Sequence, residues 1–335
     1  MYSNVLISGV GVSYPENNVT TFEELDKYFK LKDIRIENLM RILGKNKRFS
    51  IDEHIDYFYM LEDASKKAVE EAKISLDDID VLVVVADTPE YVVPTNAIKL
   101  GERLGLKNVK MVYDINANCA GSIVAIDQVS RYLKTSKHYK NALIATIFVG
   151  SYLRRDTDAI SYGTFSDAAS AIVLQKVEEN IERGVIDSNY KSDCNYSNMD
   201  IFPAKGFGDM FVNNNRSNED VMINISKDVD LSFIPDMWEK LIRELLKDNN
   251  LEPKDIDKYY FSQFSLFHIR STLGKLKIPK EKNIYVGDKY GYTGCCSPIF
   301  ALNYSMQIEK SKQNSYSIFC AVGSGYTSVA LLYKN

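Results

Sequence analysis

The chain is poor in the residues that build metal centres, disulfide frameworks and nucleic-acid surfaces. It has three histidines (His54, His138, His268) and one tryptophan, Trp238, in 335 residues. Its five cysteines (Cys119, Cys194, Cys295, Cys296, Cys320) form an odd set with neither zinc spacing nor a disulfide pattern. Adjacent Cys295 and Cys296 cannot chelate a metal well without further ligands, so no metal or other cofactor is expected. Lys and Arg number 41 against 45 Asp and Glu, a formal charge of −4, and no basic run or stacking-aromatic array is present. That balance speaks against nucleic acid and against an anionic membrane as partners. No apolar run reaches the roughly 20 residues of a membrane helix, and a strand-like stretch, Asn4–Gly9, opens the chain with no signal-peptide pattern. A reduced, cytoplasmic protein is expected. Apolar content of 45% and this length allow a large core, as one duplicated domain or two closely packed ones.

What the chain does have is the run Tyr113-Asp-Ile-Asn-Ala-Asn-Cys-Ala-Gly-Ser-Ile-Val-Ala-Ile126. A strand-like stretch, Val109–Tyr113, enters a short polar turn, and an apolar-periodic helix follows to about Leu133. Cys119 then sits at a helix N-terminus, where unpaired N–H groups and the helix dipole favour a thiolate. Ala120 and Gly121 keep the ground beside the sulfur clear. The residues admit two readings: a nucleophile, or a buried and inert thiol packed as a small hydrophobe. A helix terminus alone predicts a thiol pKa about one unit below the usual value of about 8.5.

An internal repeat favours the nucleophile. Placing Cys295 on Cys119, 176 residues apart, puts Ala301-Leu-Asn303 on Ala125-Ile-Asp127. Upstream, Leu76-Asp-Asp-Ile-Asp80 is echoed by Pro253-Lys-Asp-Ile-Asp257 at a spacing of 177, and a strand-like run follows each. Order, spacing and flanks together predict two copies of one α/β unit, residues 1–175 and 176–335. Cys119 and the Tyr292–Cys296 loop should then face one cleft.

The pattern along the chain predicts strands at Val5–Val12, Val81–Ala86, Ala142–Val149, Ala171–Gln175, Lys258–Ser262, Ser317–Val322 and Thr327–Leu332. Helices are expected at Phe22–Phe29, Ile34–Leu43, Tyr57–Lys73, Ile234–Asp248 and a short stretch to Leu276, with another capped by Thr95 and running to Leu104. Residues 192–220, rich in Asn, Ser, Asp and Gly, read as a long mobile loop.

Six ordered motifs span nearly the whole chain: Ile7-Ser-Gly-Val-Gly-Val-Ser-Tyr-Pro15, Thr88-Pro-Glu-Tyr-Val-Val-Pro94, Asn118-Cys-Ala-Gly121, Phe165-Ser-Asp-Ala-Ala-Ser-Ala171, Tyr290-Gly-Tyr-Thr293 and Gly323-Ser-Gly-Tyr-Thr327. With them the chain resembles the β-ketoacyl-acyl carrier protein synthase III family of the thiolase superfamily. The resemblance implies a duplicated, five-layered α-β-α-β-α fold and a homodimer. It implies acyl loading on Cys119 from an acyl carrier protein or coenzyme A thioester, in fatty-acid or secondary-metabolite synthesis. It also implies an oxyanion hole from the backbone N–H groups of Cys119 and Ser324, a role suited to a Gly-rich turn.

The departures from that family bear on chemistry. The family's His, which with an Asn supports malonyl decarboxylation, falls on Ser262, followed by Gln263, and the Asn falls on Tyr292. Neither replacement offers an imidazole, and the Tyr292 ring is large enough to occupy part of the extender cavity. His268, six residues on, is an auxiliary candidate or an ordinary helix-surface residue. Cys295 and Cys296 read as packing. The tryptophan that stacks on coenzyme A is absent, and the family's loop arginine falls on Ala159, with Arg154 and Arg155 nearby as substitutes. This favours a carrier protein as donor, and Arg270, Lys275 and Lys277 form either a carrier-facing patch or a solvated helix face. The expectation is an acyltransferase without ordinary decarboxylative condensation. The alternatives are a non-catalytic or half-catalytic partner subunit in a heterodimer with an active homologue, and a ketosynthase with a rearranged site.

Overall fold

The segment Val81–Ala86 reads Val-Leu-Val-Val-Val-Ala, and all six residues are buried. A strand covered on both faces carries apolar side chains at every position instead of alternating. Val81, Val83 and Val85 pack into one apolar layer while Leu82, Val84 and Ala86 pack into another. This is a central strand of a sheet clad on both sides.

The computed structural model describes residues 1–52, 54–226, 230–309 and 312–335. Its large sheet contains β1 (Tyr2–Ser13), β2 (Val81–Ala86), β3 (Met111–Ile115), β4 (Asn141–Phe148), β5 (Ala168–Glu179), β6 (Gly184–Ser192), β7 (Ile256–Phe261), β8 (Tyr316–Gly323) and β9 (Thr327–Lys334). Their spatial order is β7-β8-β9-β6-β1-β5-β4-β2-β3. Inward from β3, chain rank runs 3-2-4-5-1. Inward from β7 the second set runs 2-4-5-1, and a parallel bridge, Tyr259 to Asn283, stands at the outer edge where a third strand would lie. Strand senses match as well. β2 is parallel to β3 and β4, and β5 runs antiparallel to β4 and β1. Likewise β7 is parallel to β8, and β9 runs antiparallel to β8 and β6. The two sets meet through a parallel pairing of Val5 with Gly184.

Six main helices complete the layers: α1 (Tyr57–Glu71), α2 (Asn96–Leu104), α3 (Gly121–Thr135), α4 (Ile234–Asp248), α5 (Leu266–Leu276) and α6 (Ser297–Ile308). α1 and α2 share an apolar cluster with the outer side of the first set of strands. α4 and α5 share one with the outer side of the second, where Trp238 stacks obliquely on Phe261. α3 and α6 lie between, in a core drawn from both sets. The result is the expected α-β-α-β-α sandwich. Helix limits follow local signals: the Thr95 hydroxyl accepts from the N–H of Ile98, and Gly105 ends α2 in the left-handed region at φ 67°.

Residues 192–220 depart from the expected loop. Asp200–Ile201 pairs antiparallel with Asn224–Ile225, and short helices form at Gly206–Val212 and Asn218–Val221. The N–H groups of Ala204 and Lys205 donate to the carbonyls of Met222 and Asp220, so the segment folds back on itself. Phe207, Phe211 and Val212 on its first short helix are exposed, while Phe202 and Ile223 line a cavity beneath it.

Candidate active site

The thiol-bearing turn is built from β3 outward. Just past β3, the Asn116 side chain accepts the N–H of Asn118, and Asn118 takes the left-handed conformation at φ 50°. Asparagine tolerates that region because its short polar side chain bonds locally. A single 3₁₀ turn, Asn118–Ala120, then delivers Cys119 to the start of α3. Gly121 is required for close packing, since a Cβ there would lie 2.5 Å from a methyl of Val85.

The Gly323-Ser-Gly325 turn between β8 and β9 closes on this cysteine. A Cβ on Gly323 would come within 2.6 Å of the Ala117 carbonyl oxygen, so only glycine allows the two backbones to approach so closely. Asn118 Nδ2 donates to the Ser324 carbonyl at 3.1 Å, and Ser324 Oγ donates to Asp200 Oδ2 at 2.8 Å. Cys119, Tyr292 and Ser324 line one cavity of about 710 Å³. Its floor also includes Asp87, and its wall carries the apolar side chains of Phe148, Met199, Phe202, Ile225, Leu231 and Phe264.

Tyr292 is buried. Its N–H donates to the Thr164 carbonyl, and its own carbonyl accepts from Ser166, both at 2.8 Å. Its ring packs among Phe148, Phe165 and Phe264 with centroids 5.2–6.0 Å away. The phenol reaches the Cys119 sulfur on one side and the Ser262 hydroxyl on the other. Ser262 Oγ is buried there without a hydrogen bond of ordinary geometry. The two positions that depart from the family pattern therefore adjoin each other and the sulfur.

The other expected residues lie elsewhere. Gln263 is spent on structure: Nε2 donates to the Phe261 carbonyl at 2.7 Å, and Oε1 accepts the N–H of Val286 at 2.9 Å. His268 lies on α5 beside Phe267, outside the cavity lining, with its pKa pushed down by burial. Arg154 is no substitute for a ligand-binding arginine. It is buried and donates to the carbonyls of Phe49 and Phe165 and to Ser50 Oγ. Arg155 does line the cavity. Cys295 and Cys296 are buried and donate to main-chain carbonyls of Ile147, Thr146 and Ala168. Lys275 pairs with Asp236 at 2.6 Å.

The thiol itself reverses the expectation of a lowered pKa. Burial pushes the Cys119 pKa well above the ordinary thiol range, and the facing Asp87 carboxylate adds to the rise. The Tyr292 hydroxyl and the thiol's own N–H pull the other way and lose. A helix terminus is worth about 0.3–1 kcal/mol, too little to offset desolvation with a carboxylate alongside.

Asp87 is the residue that sequence reasoning passed over. It follows β2 directly, and Cys119 Sγ lies 3.9 Å from its Oδ2 while its Oδ1 is buried without a hydrogen bond of ordinary geometry. Burial raises its pKa to about 7, against the smaller opposing pull of the neighbouring Cys295 and Cys119 thiols. One signal was available: a carboxylate at the C-terminal end of an all-apolar parallel strand, where sites of α/β sheets gather.

A free thiol at a strand-to-helix turn, closed by a Gly-rich turn from the second set of strands in a layered α-β-α-β-α sheet, is the arrangement of a thiolase-like fold. Residues 113–194 match the profile of 3-oxoacyl-[acyl-carrier-protein (ACP)] synthase III, and residues 246–335 match that of its C-terminal part. The chain is 31% identical over 332 residues to β-ketoacyl-[acyl-carrier-protein] synthase III of Clostridium perfringens, covering 99% of both. It is 30% identical over 272 residues to the protein of that name from Wolbachia pipientis, covering 81% of this chain and 82% of the relative. The solved 3-oxoacyl-[acyl-carrier-protein] synthase III of Aquifex aeolicus superposes with a TM-score of 0.86 at 25% identity, over 99% of this chain and 100% of that one. The chain belongs to the β-ketoacyl-acyl carrier protein synthase III family.

Proposed function

We propose that the protein is an acyltransferase that loads an acyl group onto Cys119 and passes it to an acceptor without decarboxylating a malonyl group. The donor is a thioester of an acyl carrier protein or coenzyme A. The observation that carries the reading is Tyr292. Its hydroxyl interacts with the Cys119 thiol and the Ser262 hydroxyl, at the place where the family pattern has an Asn beside a His. A phenol and a hydroxyl can donate hydrogen bonds but cannot present an imidazole to a decarboxylating thioester, whereas attack on an acyl-cysteine by an oxygen, nitrogen or sulfur nucleophile needs no carbanion. The backbone N–H groups of Cys119 and Ser324 serve as the oxyanion contact, and the backbone approach at Gly323 supports this. The apolar cavity wall suits an acyl or pantetheine-like chain. Two copies of one unit, expected at 1–175 and 176–335 with the joint moved past Glu179 because β5 runs through that boundary, and assembly as a homodimer complete the reading.

Intact-protein mass spectrometry after incubation with a panel of acyl thioesters tests it. One acyl adduct is expected in the unmutated chain and none in Cys119→Ala, with carbon dioxide release from malonyl thioesters at background. Absence of any adduct, or release of carbon dioxide matched to product, would sink the reading.

A further inference from the structure

We propose that Asp87 is the catalytic base and acid of both half-reactions at Cys119. This rests on the acyl-transfer reading above. Four observations lead to it. The Asp87 carboxylate is in contact with the reacting atom, Oδ2 to Sγ at 3.9 Å. It lines the same cavity that a thioester must enter to reach that sulfur. Its second oxygen, Oδ1, is buried without a hydrogen bond of ordinary geometry, and the Cys295 thiol that also faces this carboxyl donates to the Ile147 carbonyl. The position from which the family pattern would bring an imidazole holds Ser262, and the cavity lining contains no histidine among the described residues.

The proton balance closes within the pair. As Cys119 sulfur attacks the thioester carbonyl, the thiol proton passes to Asp87 Oδ2. The new bond is sulfur to acyl carbon, and the bond broken is acyl carbon to the donor's sulfur. The donor thiolate takes the proton from the Asp87 carboxylic acid and leaves as a thiol. In the second half, Asp87 accepts the proton of the acceptor's O–H, N–H or S–H as that atom attacks the acyl carbon. It returns the proton to the departing Cys119 sulfur. Nothing is oxidised or reduced, and Asp87 ends as it began.

The surroundings suit a carboxyl that changes charge each turnover. Cys119 faces it from the turn before α3, Cys295 from the turn before α6, and Tyr292 from the adjoining loop. Tyr57 of α1 stands near Cys295, and Asp200 acts on Cys119 from the Ser324 side. No cation faces Asp87 among the described residues. A salt bridge would hold the carboxylate ionised at all working pH; its absence leaves the proton free to move near neutrality.

The test compares the unmutated protein with Asp87→Asn, using acetyl, hexanoyl and octanoyl thioesters of coenzyme A and of acyl carrier protein, with adduct formation followed by mass. In the unmutated chain, loading should rise with pH to an inflection near 7 and then level. In Asp87→Asn, loading should fall by about 10²–10⁴-fold and the inflection should vanish. Alkylation of Cys119 by iodoacetamide at neutral pH should move the opposite way and become faster, because the negative charge opposing the thiolate is gone. A merely structural role would slow both reactions together, and that outcome overturns the proposal. Loading in Asp87→Asn within threefold of the unmutated chain, with the inflection kept, overturns it while leaving acyl transfer standing. Absence of an adduct on the unmutated chain with every thioester overturns both.

Discussion

The side-chain amide of Asn118 bonds the carbonyl of Ser324, 206 residues further on, and so fixes the thiol-bearing turn to the Gly-Ser-Gly turn. Two substitutions probe this tie. Asn118→Ala loses the bond, about 1 kcal/mol, and forces a Cβ residue without local bonding into φ 50°, about 1 kcal/mol more. Asn118→Gly loses the bond alone. Thermal unfolding should rank the unmutated protein above Asn118→Gly, and that variant above or level with Asn118→Ala. Gly323→Ala should cost about 1–3 kcal/mol, because its Cβ meets main chain that cannot swing aside, and acyl loading should slow with it.

Tyr292→Phe keeps the ring among its three phenylalanines and deletes the O–H beside the sulfur. A hydrogen bond to a charged group is worth about 1.5–3 kcal/mol, so the thiolate should become about tenfold to hundredfold scarcer at a given pH. Iodoacetamide alkylation of Cys119, read by mass, should slow by that factor with little change in melting temperature. Tyr292→Asn instead empties the ring's place and should cost about 3–5 kcal/mol by chemical denaturation.

Asp87 also makes stability depend on pH. Its pKa is raised in the folded chain from 3.8 to about 7, so its contribution is fully present below about 3.8 and is lost as pH rises through 7. At pH 8 the fold carries a desolvated carboxylate worth at most roughly 4 kcal/mol of destabilisation, from about 1.36 kcal/mol per pKa unit. Asp87→Asn should melt higher than the unmutated chain at pH 8, with the gap shrinking towards pH 5. A gap that does not change over that range would refute the assigned shift.

Lys45 is a second buried ionisable group with a structural task, its pKa lowered by burial to about 7. Its Nζ donates to the carbonyls of Leu43 and Gln263 and to the Tyr285 hydroxyl at 2.6–2.9 Å, joining the turn after the helix Glu37–Leu43 to the segment beside Ser262. Lys45→Met fills the space and leaves acceptors without a donor. Denaturant titration should show a loss of about 2–4 kcal/mol.

The regular framework was readable because its signals are local. Val81–Ala86 and Ile234–Asp248 occupy the residues expected from an unbroken apolar run and from helical periodicity, and Thr95 caps its helix as expected. β5 ran longer than expected, to Glu179, because Glu178 and Glu179 at its fraying end still pair with Ser3 and Tyr2 of β1. The short elements between 192 and 225 were not readable, since Asp200–Ile201 is a strand only by virtue of Asn224–Ile225. At the site, the repeat pointed to Cys119 and the Tyr292 loop, and the structure brings both with Ser324 to one cavity. Asp87 and the direction of the thiol's shift were missed for one reason. Helix position is written in local sequence, whereas the burial of Cys119 and its approach to a carboxylate 32 residues away exist only in the folded chain.

Because the thiol turn is completed by a partner 206 positions downstream, Cys119 is synthesised long before its surroundings exist. Until β8 and β9 join the sheet and bring the Gly-Ser-Gly turn with them, the cavity around the sulfur lacks one of its walls. Folding then raises its pKa and lowers its thiolate fraction. The native state thereby shields its own thiol, and the incomplete chain is the form more open to oxidation and stray alkylation at that position.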